Sequence, residues 1–392
     1  MDSERFDEVN LENRDARLYM YDKALTKHRT PEHPVLDGFD VMSIAFNVAP
    51  FETMAWLREN APVYWDDNEG LWAISTHEHV SFIEANWEIF SSAFGSRPNS
   101  SVPSMINADP PDHTRRRRIV SSGFTPRRVA AHEEFIRTTV TNLIDAVIDT
   151  GSCDFVAEIA APIPLRMIAA LMGLPAEDEA KLLAWSDLFA TGTEETTDEV
   201  IAASFEFAEY IVEIMQTRTD PEAEDLISLL LHTDGEPLSP EDLIFETMLI
   251  LVGGDETTRH VMSGGLEALL KHPEQFAALK ADRSLLPGAI EEMLRWVTPV
   301  RNMSRTATQD VELGGQKILE GDRLLLLYLS ANRDDAAFDR AGEFDITRTP
   351  NQLDRLPEIE LANPDIWQPE RRGNFVLGLS ELPVRWPAAS SS

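Results

Sequence analysis

Two glycines, two carboxylates and two hydroxyls follow an apolar run in Leu249-Ile250-Leu251-Val252-Gly253-Gly254-Asp255-Glu256-Thr257-Thr258. In a helix interior each glycine costs about 1 kcal/mol relative to alanine, so a pair there needs a compensating reason. Close approach of a flat ligand to the backbone at Gly253 and Gly254 is one such reason. Close contact with another helix, with Glu256 turned to solvent, is the other. The Thr257 hydroxyl can turn toward the carbonyl of the preceding turn, and where the helix opens locally it can hold water with the Glu256 carboxylate. An acid and an alcohol so placed form a proton relay.

Three further groups of residues could carry charge chemistry. In Asp109-Pro110-Pro111-Asp112-His113-Thr114-Arg115-Arg116-Arg117-Arg118 a helix that begins after Pro111 sets His113 and Arg117 four apart on one face. Such a pair can clamp a carboxylate or phosphate, or it can be a solvated basic face. Glu292 and Arg295 share a face of a second helical segment, a spacing worth only ~0.2–0.5 kcal/mol when exposed. Arg348, in Glu343-Phe344-Asp345-Ile346-Thr347-Arg348, reads on its own as a surface arginine.

The elements that must position these groups are mostly helical. Residues 239–271 are the longest helix candidate: Ser239 is its cap, Pro240 suits the first position, and Glu241 and Asp242 favour the positive end of the dipole. Apolar residues recur at helical spacing over 51–60, 127–150, 176–190 and 197–218. Residues 62–65 and 71–75 read as a hairpin, as do 311–318, with a buried strand over 323–329 beside the latter. Cys153 sits where a turn at Gly151 enters a short extended segment, and is expected to be a small, inert core residue.

Composition narrows the function classes. A chain of 392 residues with 43% hydrophobic and 26% charged residues folds into a globule. No linker or repeat divides it, so an irregular lead-in over 1–40 and a single domain over 41–392 are expected. A net charge of −34 argues against nucleic acid as a partner. No apolar run approaches the ~20 residues of a membrane span, and the acidic start is unlike a secretory signal, so a cytoplasmic location is expected. One cysteine permits no internal disulfide and no cysteine-rich metal site. There is no Walker loop, no Gly-x-Gly-x-x-Gly, no His-Glu-x-x-His and no Gly-x-Ser-x-Gly.

Taken together and in order, these segments resemble the cytochrome P450 family, of the bacterial soluble type. Gly253-Gly254-Asp255-Glu256-Thr257-Thr258 is similar to its oxygen-binding helix motif, Glu292-x-x-Arg295 to its Glu-x-x-Arg, and Arg348 falls at a third member of that ion network. His113-x-x-x-Arg117 and Arg305, in Pro299-Val300-Arg301-Asn302-Met303-Ser304-Arg305, resemble the family's propionate ligands. The resemblance implies a mainly α P450 fold with small β-sheets and a haem cofactor. It implies monooxygenation of an apolar small-molecule substrate with electrons from a ferredoxin-type donor. Gly253 to His260, Ala289 to Arg305 and Asn374-Phe375-Val376-Leu377-Gly378-Leu379 are similar to actinobacterial members that oxidise sterol side chains, so a sterol- or terpenoid-like substrate is implied.

One part of the family pattern is missing. Past Arg348 the family has a glycine- and phenylalanine-rich loop bearing the axial cysteine, then a helix beneath the haem. Here Arg348-Thr349-Pro350-Asn351 passes directly to Gln352-Leu353-Asp354, which resembles the segment beyond that helix. The departure reads as one internal deletion near 350–353. It removes the thiolate, both iron ligand and electron donor. The alternative is a haem-free, non-catalytic descendant or truncated product that binds an apolar ligand.

Overall fold

The computed structural model describes residues 31–98, 102–190, 197–233, 236–348, 360–361, 371–372 and 378–386. The expected lead-in up to residue 30, the junction at 350–353 and the segment 374–377 lie outside the described residues. Helices are α1 (Ile44–Val48), α2 (Phe51–Asn60), α3 (His77–Ala85), α4 (Asp112–Gly123), α5 (Pro126–Ala131), α6 (Glu133–Val147) and α7 (Pro162–Met172). They continue with α8 (Glu179–Ala190), α9 (Asp198–Thr217), α10 (Leu226–Leu231), α11 (Pro240–Lys271), α12 (Pro273–Ala281), α13 (Leu286–Val297) and α14 (Tyr328–Ala331). Strands are β1 (Val63–Asp66), β2 (Leu71–Ile74), β3 (Phe90–Ser91), β4 (Ser152–Asp154), β5 (Asn302–Ala307), β6 (Val311–Leu313), β7 (Gln316–Ile318) and β8 (Arg323–Leu327).

The spine is α11. Ser239 begins it, its hydroxyl accepting from the Asp242 amide at 3.0 Å, and Glu241 and Asp242 occupy the first turn. The first half of α11 is buried against α4, α7, α8, α9 and α10 through Leu165, Phe207, Ile211 and Leu251. Its second half packs with α6, α12, α13 and the strand Pro383–Arg385 through Leu266, Leu269, Ala289 and Val384. Each fully buried Leu or Ile side chain contributes about 1.5–3 kcal/mol, so α11 is held along both halves.

A five-stranded sheet in the order β1-β2-β8-β5-β3 forms the second layer. The expected first hairpin pairs Val63 with Ile74, and β8 joins β2 in parallel with Trp72 opposite Leu324. The second hairpin, β6 and β7, turns at Gly314 and Gly315, both at positive φ (56° and 76°), as a two-residue hairpin turn requires.

Three boundaries differ from expectation. Residues 127–150 are not one helix: α5 ends at Ala131, His132 interrupts, α6 ends at Val147, and a 3₁₀ turn then runs to Gly151, at φ 77°. The helix expected from 176 begins with a 3₁₀ turn over Ala176–Asp178 before α8. The strand expected over 323–329 stops at Leu327, the last residue paired to β5, and Tyr328 starts α14. Periodicity sees apolar spacing but not where pairing partners run out.

Candidate functional site

Midway along α11 the two glycines have different surroundings. A Cβ on Gly253 would meet nothing within 4 Å, and the Thr257 hydroxyl donates to the Gly253 carbonyl at 2.8 Å on that same open side. A Cβ on Gly254 would lie 2.7 Å from Ile168 Cγ1 of α7. Gly254 thus makes the close helix contact that was the other expectation for the pair, while Gly253 lies on an open side. A helix turns 100° per residue, so adjacent glycines can meet different surroundings, as these two do.

Glu256 does not face solvent, as the helix-contact alternative supposed. It is buried in the seam between α11 and α8, ion-paired to Arg259 and 3.2 Å from His260 Nε2, with the Ser186 hydroxyl donating at 3.5 Å. Arg259 Nη1 reaches across to Asp187 Oδ1 of α8 at 2.7 Å. Burial acts to raise the Glu256 carboxyl, but the His260 and Arg259 contacts outweigh it and hold the group below the usual carboxylate range. Asp255 is fully buried and neither of its carboxyl oxygens makes a hydrogen bond. Burial pushes it up to about 7, against the pull of Arg259 and with a push from Glu256.

On α4, His113 is half-buried and Arg117 exposed, one turn apart as expected. Their neighbour Arg116, which sequence reasoning passed over, is buried and forks between Asp242 at 2.9 Å and Glu246 at 3.1 Å, tying α4 to α11. Glu246 also accepts from the Met105 amide at 2.7 Å, and burial pushes its carboxyl up to about 7 against Arg116. Arg305 on β5 is engaged by both oxygens of Glu84 at 2.9 Å, and the Tyr328 hydroxyl donates to the same carboxylate. The structure does not join Arg305 to His113 or Arg117 by any direct contact.

The third group closes fully. Glu292 on α13 is wholly buried and takes Arg295 bidentately, Nε at 2.8 Å and Nη2 at 2.6 Å. Arg348 Nε adds a bond to Glu292 Oε2 at 3.0 Å, and the Asp345 amide donates to Oε1 at 2.8 Å. The remaining Arg295 hydrogens go to the carbonyls of Asn332, Ala341 and Glu343 at 2.7–2.9 Å. Arg348, which the sequence alone reads as a surface residue, is a member of this buried network, as the family resemblance implied.

These residues fit a haem only in part. The side chains of His113 and Arg117, as hydrogen-bond donors, and the bare backbone at Gly253 suit the arms and the flat face of a porphyrin. An axial thiolate has no candidate. Cys153, the single cysteine, sits on β4 opposite Val384 and packs into the apolar cluster around the second half of α11. Burial, aided by Glu158 and Asp154, pushes its thiol up to about 11, away from the thiolate form. No histidine follows His272.

A model of the family described as Cytochrome P450 matches residues 165–352. The chain is 41% identical to a steroid C26-monooxygenase of Mycobacterium tuberculosis, with 84% of this chain and 92% of that protein covered. A steroid C26-monooxygenase of Mycolicibacterium smegmatis is 39% identical, with 85% and 92% covered. In the first alignment 368 residues are spanned, more than the 84% of this 392-residue chain that takes part, so the relative has residues with no counterpart here. Among solved structures, that of CYP109E1 from Bacillus megaterium in complex with testosterone superposes with a TM-score of 0.78 at 27% identity, covering 88% of this chain and 99% of that one. Among the described residues no helix is long and apolar enough to cross a membrane. The fold, the helix motif around Gly253 and Thr257, the Glu292 network and these likenesses converge: the chain belongs to the cytochrome P450 family of haem-dependent monooxygenases.

Proposed function

We propose that this chain is built to oxidise the side chain of an apolar steroid, drawing electrons from a ferredoxin-type donor in the cytoplasm, and that in its present form it lacks the loop that would ligate haem iron. The observation that carries the substrate class is the 41% identity with a steroid C26-monooxygenase over 92% of that protein's length. A terpenoid of similar shape is the neighbouring class.

In this reading Glu256 and Thr257 supply the acid and the alcohol of a proton relay. Gly253 admits the porphyrin face, while His113, Arg117 and Arg305 offset the desolvation of its two carboxylate arms. Arg305 must exchange Glu84 for such an arm. Glu292, Arg295 and Arg348 brace the opposite side. The haem, when bound through sulfur, supplies the oxidising chemistry. No residue here supplies that sulfur; an internal deletion at 350–353 accounts for its loss, a reading supported by the end of the family match at residue 352.

The test is a graft. The corresponding loop and helix of the M. tuberculosis relative are inserted in frame between Pro350 and Leu353, and both proteins are offered haem, a ferredoxin system and a steroid whose side chain reaches C26. The grafted protein is expected to yield a product hydroxylated on the side chain, and the ungrafted chain none. A graft that binds haem yet leaves the steroid untouched would overturn the substrate class; turnover by the ungrafted chain would overturn the role of the missing loop.

A further inference from the structure

The seam between α8 and α11 holds three carboxyl groups, Asp187, Asp255 and Glu256, around one guanidinium, Arg259, and one imidazole, His260. Arg259 divides its fork between Asp187 and Glu256, and Asp255 is left over, fully buried with both oxygens unbonded. Arg259 Nε and His260 Nδ1 are buried without hydrogen-bond partners as well. Asp255 stands one turn before Arg259, at the spacing where two side chains of a helix meet. Arg259 can therefore reach it by changing rotamer, with no movement of either helix.

We propose that Asp255 is a second acceptor for Arg259 and, through it, the positioning residue for Glu256. With Asp255 neutral, Arg259 stays on Glu256 and Asp187, and the Glu256 carboxylate is locked into the seam. With Asp255 ionised, the guanidinium is drawn onto it, and Glu256, left with His260 and Ser186, is released to turn toward the open side occupied by Thr257. The exchange moves one proton from Asp255 to water and one charge-assisted hydrogen bond from Glu256 to Asp255; as Glu256 turns it gives up its contacts with His260 and Ser186. The proposal rests on the reading of Glu256 as a relay acid for its use, but not for its geometry.

The groups that face Asp255 set where the exchange falls. From its own helix these are Arg259, which favours the ionised form, and Glu256, which opposes it; from α8, Asp187 opposes it, and the Ser186 hydroxyl, outside hydrogen-bonding geometry, favours it slightly. The α7 face at the neighbouring Gly254 presents Ile168, which is apolar. A buried carboxyl with no donor takes the neutral form until pH forces it, which here places the exchange near neutrality.

The full chain, carrying ¹³C-labelled carboxyl groups on Asp and Glu, decides the matter by NMR titration from acid to alkaline pH. No haem is needed, so failure of the steroid reading in the graft experiment leaves this result untouched. The Asp255 and Glu256 signals are expected to shift together with one midpoint near neutral. In Asp255→Asn the Glu256 signal is expected to stay flat, and in Asp255→Glu the joint shift returns. If Asp255→Asn does not fold, the wild-type titration, assigned with Asp255→Glu, decides alone. An Asp255 carboxyl already ionised in acid, or a Glu256 signal indifferent to the titration of Asp255, overturns the proposal.

Discussion

Glu292 on α13 and Asp255 on α11 are both carboxyl groups without exposed surface, yet their surroundings are opposite. Glu292 has two guanidinium groups and a backbone amide on its oxygens, and Arg295 spends its other hydrogens on three carbonyls. Asp255 has no hydrogen bond, and the one arginine beside it is spent on two other acids. A fully satisfied network has one arrangement and serves as a frame; a cluster with more acids than bases has two arrangements and can redistribute. In this chain a fully bonded carboxylate on α13 thus stands in contrast to an unbonded one on α11.

Removing the centre of the brace should have the largest effect. Glu292→Ala strands Arg295 and Arg348 as buried, uncompensated cations and is expected to cost about 3–5 kcal/mol, read as a fall in the urea midpoint. A loss below about 1 kcal/mol would erase the contrast with Asp255.

Asp255→Asn should act in the other direction. Its folded-state carboxyl is raised from 3.8 to about 7, so between those values the folded chain holds a proton that the unfolded chain has lost. Stability from this group is greatest in acid and declines as pH rises to about 7. Asparagine removes that decline, and above neutrality the variant should exceed the parent by a few kcal/mol, since each tenfold change in proton affinity corresponds to about 1.4 kcal/mol. Urea unfolding at acid and alkaline pH reads the difference. A residual slope of the same sign belongs to the other carboxyl groups that burial raises, Glu246 to about 7 and Asp66 to about 6. An unchanged slope in Asp255→Asn would mean that Asp255 is not the group left over.

The glycine pair sharpens the comparison at smaller scale. Gly254→Ala forces its Cβ against Ile168 and is expected to lose about 1–3 kcal/mol in thermal or urea unfolding. Gly253→Ala meets open space and should be neutral or gain up to about 1 kcal/mol from helix propensity. Equal losses at both would place Gly253 in a packed contact instead of beside an open face.

Much of this was legible in the residues. Ser239, Pro240 and the acids behind them announce the start of α11, because capping is local chemistry. Glu292 and Arg295 are neighbours on one helix turn, so their pairing was within reach; their burial was not, because it depends on the segment from Asn332 to Arg348 folding back over α13. Which glycine faces α7 was hidden for a related reason: sequence gives the spacing of a face but not its direction. Arg116 and Arg259 each have one partner on their own helix, Asp112 and Glu256, but the cross-helix partners that bury them, Asp242 and Glu246 on α11 and Asp187 on α8, are not visible in local spacing. The interruption at His132 carries no proline or glycine, so no local signal marked it.

The central claim is that a P450 scaffold with its brace and distal helix in place has no sulfur for iron. The purified chain, offered haem, reduced and exposed to carbon monoxide, tests it in one spectrum. No thiolate-haem Soret band is expected. A band of that kind from the unmodified chain would contradict the claim, since it would require Cys153 to leave β4 and reach a metal.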